Sequence, residues 1–236
     1  MSNNNKKIII ILFVIFLILG GIFLFGEKSY AIDWQNFKAQ NLKEVQNDIS
    51  LNKEIRYKYN LAIAYANLGE INNSQKTLDE IEDKFGKKEF KKVIYPYIKQ
   101  INYKFADSIN KNSDRIIENN SDRIIINNNS SELLELNYAA FYYLIFENYS
   151  RSSSYFKEIV KRDLENIWAL NYLAGNYIML EEFDKAENYL IKADNIKNNK
   201  FTNLLYGYIY YEKGNYIRAF AKLSQTGDLL KEKVFQ

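Results

Sequence analysis

The chain has 236 residues, 47% hydrophobic and 26% charged, which is the composition of a globular protein with a sizeable core. Its formal charge is only +3, with basic and acidic residues interspersed, so nothing calls for a polyanionic partner and no nucleic acid is expected among its ligands. Cysteine and histidine are both absent, which removes disulfide frameworks, thiolate chemistry, Ser-His-Asp and Cys-His arrangements and histidine metal sites.

Lys6 and Lys7 precede an uncharged run from Ile8 to Gly26. As a helix it would measure roughly 28 Å at about 1.5 Å per residue, close to the thickness of a bilayer's hydrocarbon core. Residues 1–28 therefore read as a short basic cytoplasmic tail and a single transmembrane signal-anchor in the inner (cytoplasmic) membrane, with the rest of the chain outside the cytoplasm. The competing reading is a cleaved signal peptide, for which Ser29-Tyr30-Ala31 offers small residues before a cut after Ala31. The apolar run is longer than the roughly 7–15 residues of a signal core, which favours the anchor. Both readings export the remainder.

From Asp33 to Asn52, the residues Trp34, Phe37, Leu42, Val45 and Ile49 recur at near-helical spacing among polar ones. Residues 29–55 thus read as a linker and an N-terminal capping helix. A membrane-surface role fits less well, because the polar face is not strongly basic.

Beyond this the chain repeats itself. Leu61-Ala62, Tyr65, Gly69 and Ser74 are followed by Ala139-Ala140, Tyr143, Tyr149, Ser152 and Phe156, then by Leu173-Ala174, Tyr177, Phe183, Ala186 and Leu190. A fourth copy has Tyr206-Gly207, Tyr210, Gly214, Tyr216, Ala219 and Leu223. Ala140 to Ala174 is 34 residues and Ala174 to Gly207 is 33. This pattern resembles the tetratricopeptide repeat family, whose 34-residue unit is a pair of helices with small residues at the crossing and large ones between repeats. With the apolar run read as an N-terminal transmembrane helix, the resemblance implies an all-α fold in which that helix is followed by an α-solenoid over 56–236. Its repeats would lie near 55–88, 133–166, 167–199 and 200–226, with a degenerate pair at 90–130 and a C-terminal cap at 228–236. Gly69 and Gly214 fit the inter-helix turn, where glycine adopts a left-handed backbone at least cost. The family's closing proline is missing; Gly86 and Asn198 stand in its place in the first and third copies.

Ala62 to Ala140 is 78 residues, too many for two repeats. A local duplication accounts for the excess, since Ser113-Asp114-Arg115-Ile116-Ile117 recurs as Ser121-Asp122-Arg123-Ile124-Ile125. Pro96 is expected in the first turn of the degenerate pair's first helix, followed by a stripe of Tyr97, Ile101, Phe105 and Ile109, with Ser113 or Ser121 capping the second helix. Residues 119–130 alternatively form an Asn-rich loop. The heavy use of Asn, Ile, Lys and Tyr reads as compositional drift, so single Asn and Lys residues are discounted as clues.

Catalysis would have to rest on carboxylates, and Asp79, Glu80, Glu82, Asp83, Glu181, Glu182 and Asp184 all sit beside lysines on helical segments. They read as a solvated charged face, so no catalytic, cofactor or metal site is expected. The resemblance implies that the first helix of each repeat lines an inner groove. That groove would comprise Tyr59, Ile63 and Asn67, then Asn137, Phe141 and Leu144, then Trp168, Asn171 and Ile178, then Phe201, Leu204, Tyr208 and Tyr211. Several of these aromatics alternatively belong to the core between repeats. Of the Lys, Arg and Asn with which some relatives grip a terminal carboxylate, the inward places hold only Arg56, Asn67, Asn137 and Asn171. The lining better suits an apolar or helical segment of a protein partner. The function implied is a membrane-anchored, extracytoplasmic scaffold for envelope assembly, secretion or chaperone components; the rival readings are a soluble exported binding protein and a carboxylate-based envelope enzyme.

Overall fold

The structure, a computed structural model, describes residues 32–47, 50–106 and 129–227. The expected span from Ile8 to Gly26, the duplicated segment and the expected cap at 228–236 lie outside these residues. Among the described residues no helix is long and apolar enough to cross a membrane.

All regular elements among the described residues are α-helices, so the all-α expectation holds. In order they are α1 (Trp34–Val45), α2 (Leu51–Asn67), α3 (Ile71–Lys104), α4 (Asn129–Ile145), α5 (Tyr149–Arg162), α6 (Ile167–Met179), α7 (Phe183–Ile196), α8 (Lys200–Glu212) and α9 (Tyr216–Leu223). Helices α2 and α3, α4 and α5, α6 and α7, and α8 and α9 pack extensively on each other, each pair being consecutive in the chain. Helix α1 packs on α2, while α5 meets α6 and α7 meets α8, so each hairpin leans on the next.

The four hairpins share one turn. Gly69 (φ 76°), Glu147 (57°), Glu181 (58°) and Gly214 (71°) have a left-handed backbone. In each case the following residue donates its N–H to the carbonyl five residues back, that of Tyr65 (2.9 Å), Tyr143 (2.8 Å), Tyr177 (2.8 Å) or Tyr210 (2.7 Å). That bond satisfies a carbonyl the helix end leaves unpaired. The pattern's tyrosine and its turn are therefore one hydrogen-bonded device. Below the turn the small residues meet. Ser74 Oγ donates to the Ala62 carbonyl at 2.8 Å and Ser152 Oγ to the Ala140 carbonyl at 2.9 Å, while Ala174 with Ala186 and Gly207 with Ala219 are buried at the corresponding places. A Cβ on Gly207 would lie 2.5 Å from Leu223 Cδ2, so α8 and α9 cross where no larger residue fits.

The discounted asparagines have a definite role. Asn148, Asn166, Asn199 and Asn215 each accept from the backbone N–H three residues on, capping α5, α6, α8 and α9. Asp33 caps α1 in the same way. Each such cap contributes about 1 kcal/mol.

Helix α3 departs from expectation. It has two arms that meet at Gly86, where φ 76° and ψ 154° leave the helix. Pro96 is not in a first turn: it lies inside the second arm, which starts at the glycine break. The buried stripe of that arm is Phe90, Ile94, Ile98, Ile101 and Phe105, and Tyr97 stands outside it at 37% exposure. The three-and-four spacing counted from Phe90 turns Tyr97 to the surface.

A non-glycine residue in the left-handed region costs on the order of 1 kcal/mol. Glu181 is exposed, so Glu181→Gly loses no packing and should raise unfolding stability by about 0.5 kcal/mol after the greater freedom of the unfolded chain is subtracted. Chemical denaturation of the two forms checks this.

Candidate docking cleft

The expected inner groove is mostly filled. Tyr59, Ile63, Asn67, Asn137, Phe141, Asn171, Ile178, Phe201 and Leu204 are buried, Leu144, Trp168 and Tyr208 are half-buried, and Tyr211 is exposed at 57%. In this conformation the first nine are inter-helix core rather than an open lining, because neighbouring first helices bond directly to one another. The Tyr59 hydroxyl donates to the Tyr138 carbonyl at 2.6 Å, and Asn67 Nδ2 donates to Asn137 Oδ1 at 3.0 Å. Thr202 Oγ1 donates to Asn171 Oδ1 at 2.9 Å. Phe141 packs edge-on against Phe156 and Tyr172, and Tyr172 meets Phe201 at a tilt of 56°. Fully burying one such ring contributes about 1.5–3 kcal/mol.

Trp168 closes the same face. Its ring covers the turn between α2 and α3, where a Cβ on Gly69 would lie 2.2 Å from the indole. Gly69 thus satisfies two constraints, a left-handed φ and a close approach.

A cleft of about 450 Å³ remains open between α2, the second arm of α3 and α4. Helix α2 supplies Arg56 and Asn60, α3 supplies Tyr97, Gln100, Ile101 and Lys104, and α4 supplies Leu134, Glu135 and Tyr138. Pairs four residues apart, Arg56 with Asn60, Tyr97 with Ile101, Gln100 with Lys104 and Leu134 with Tyr138, place these side chains on one face of each helix. The guanidinium of Arg56 lies 5.0 Å from the Tyr97 ring centroid. Lys104 is held by Glu135 at 2.6 Å and by Glu132 at 3.7 Å. Burial pushes the Tyr138 hydroxyl well above the usual tyrosine range, the Arg56 charge opposing and Tyr97 adding to the effect, so the phenol stays a neutral donor. The cleft is not legible in the sequence, because Tyr97 shares the helical spacing of the core stripe and Arg56 stands among the inward places only as one member of a clamp.

The carboxylates considered for catalysis are spread over exposed faces. Lys58 pairs with Glu80 at 2.8 Å, Lys87 with Glu82 at 3.5 Å, and Lys213 bridges Asp184 and Glu187 at 2.9 and 2.8 Å.

Gly69→Ala should cost about 1–3 kcal/mol through the left-handed strain and the overlap with Trp168, measured by chemical denaturation. Burial also raises the hydroxyls of Tyr59 and Tyr172, and it raises Tyr142 up to about 12, ahead of the smaller effect of Tyr143 and Tyr95. A folded-state value above the unfolded one contributes stability that is complete below the unfolded pKa, about 10, and is lost as pH rises through the folded value. Stability should therefore fall above about pH 10. The tyrosinate absorbance of these residues should appear with unfolding rather than before it in a spectrophotometric titration. Set beside known proteins, the chain matches no family model, no curated protein and no solved structure.

Proposed function

We propose that the chain is a membrane-anchored scaffold of tetratricopeptide-like hairpins that holds a protein partner outside the cytoplasm. The repeat reading is supported by the turns: the left-handed residues Glu147, Glu181 and Gly214 follow one another at the same 34 and 33 residues as the small residues of the pattern. The anchor rests on the run from Ile8 to Gly26.

The observation that carries the binding role is the open cleft of about 450 Å³, within the size range of ligand sites and lined by aromatic, apolar and charged side chains together. Aromatic and arginine side chains contribute disproportionately to protein docking. The groove proposed from the repeat pattern contracts accordingly: Tyr208 and Tyr211 remain near the surface, whereas Phe141 and Asn171 belong to the fold.

The test places a photo-crosslinking amino acid at Gln100 or Lys104 in the full chain, expressed in cells, with exposed Lys76 on the first arm of α3 as the comparison. Discrete protein adducts in the membrane fraction from the cleft positions, and none from position 76, are expected. A chain that yields no adduct at either cleft position, or that is recovered entirely in soluble form, would overturn the scaffold reading or its anchored form respectively.

A further inference from the structure

We propose that the cleft between α2, α3 and α4 takes an aspartate or glutamate side chain of a partner's peptide segment, flanked in that segment by apolar residues. The inference rests on the scaffold reading and names the chemistry of its partner.

Charge complementarity carries it. The cleft is lined by two cations, Arg56 and Lys104, and one anion, Glu135. Lys104 is neutralised in place by Glu135. Arg56 pairs with no carboxylate among the described residues and rests on the face of Tyr97 instead. A ring face takes up none of the guanidinium's N–H donors in hydrogen bonds to a carboxylate, so they stay free to meet one in the plane of the group. A second donor lines the same space. The Tyr138 hydroxyl bonds to no acceptor among the described residues, and Arg56 is near enough to act on it electrostatically. Two donors that bond to no acceptor among the described residues, one of them cationic, are complementary to an anionic acceptor that displaces water from them. Ile101 and Leu134 add apolar walls that a bare inorganic anion would leave uncovered, so a side-chain carboxylate carried between apolar residues fits the whole lining.

Two fluorescein-labelled hexapeptides serve as probes, each with a central Leu-Asp-Phe or Leu-Asn-Phe between glycine and serine residues, titrated by anisotropy against the full chain in nanodiscs. The Asp peptide should bind about tenfold or more tightly than its Asn twin, as a charge-assisted bond replaces a neutral one. Arg56→Gln should erase that difference, and Tyr138→Phe should reduce it while keeping the ring. Arg56 is exposed, so the thermal unfolding of Arg56→Gln should match that of the parent, separating lost binding from lost fold. Equal affinity for the two peptides, an undiminished preference in Arg56→Gln, no binding of either peptide, or equal competition by N-acetyl-aspartate alone would overturn the proposal. Crosslinked adducts at Gln100 alongside any of these results would leave the scaffold reading standing and remove only the acidic segment.

Discussion

Each hairpin depends on how its two helices are joined. A left-handed residue reverses the chain, and the next amide bonds to the carbonyl of a tyrosine one turn and a half earlier. Because that closure is the same four times, the second helix always starts at the same height and rotation relative to the first. Ala62 then faces Ser74, Ala140 faces Ser152, Ala174 faces Ala186 and Gly207 faces Ala219. Close approach at those pairs brings the larger residues, such as Phe156 and Leu190, into the seams between helices, where they are fully buried. A different turn would rotate the small residues out of the crossing and leave the seams unfilled.

Regular stacking also explains where binding surface is lost and where it survives. Along α4, α6 and α8 the first helices are tied to their neighbours through Phe141, Tyr172 and Phe201 and through Asn171 with Thr202, so their facing sides are occupied by the fold. Trp168 extends that closure to the turn at Gly69. The cleft lies where the regular spacing is broken. There the second arm of α3 follows a glycine break, not a hairpin turn. Arg56, Tyr97 and Tyr138 meet at this irregular place, and a charged side chain with an uncompensated donor is tolerated there because water reaches it.

Much of the hairpin geometry was legible because the chemistry that produces it is local. Gly69 and Gly214 mark turns, and the alternation of small and large residues at helical spacing marks the crossings. The equivalent turns at Glu147 and Glu181 carried no such mark, since the left-handed backbone there is imposed by the helices on either side. Asparagine caps were also readable, as Asn148, Asn166, Asn199 and Asn215 each precede an apolar periodic run, but high asparagine usage obscured them. Pro96 has the signature of a helix start, but Gly86, ten residues earlier, supplies the break.

The all-helical class, the pairing of consecutive helices and the places where they cross are all written in the residue order, because each follows from residues within a few tens of positions of one another. Which face of those helices is available depends instead on packing between distant segments. Tyr59 and Arg56 are three residues apart on α2, yet the first is sealed against Phe90 and Tyr138 while the second lies exposed beside Tyr97. Nothing in their own neighbourhood distinguishes them. Their partners come from α3 and α4, and exposure is set by how far those helices, tens of residues away in the chain, close over α2.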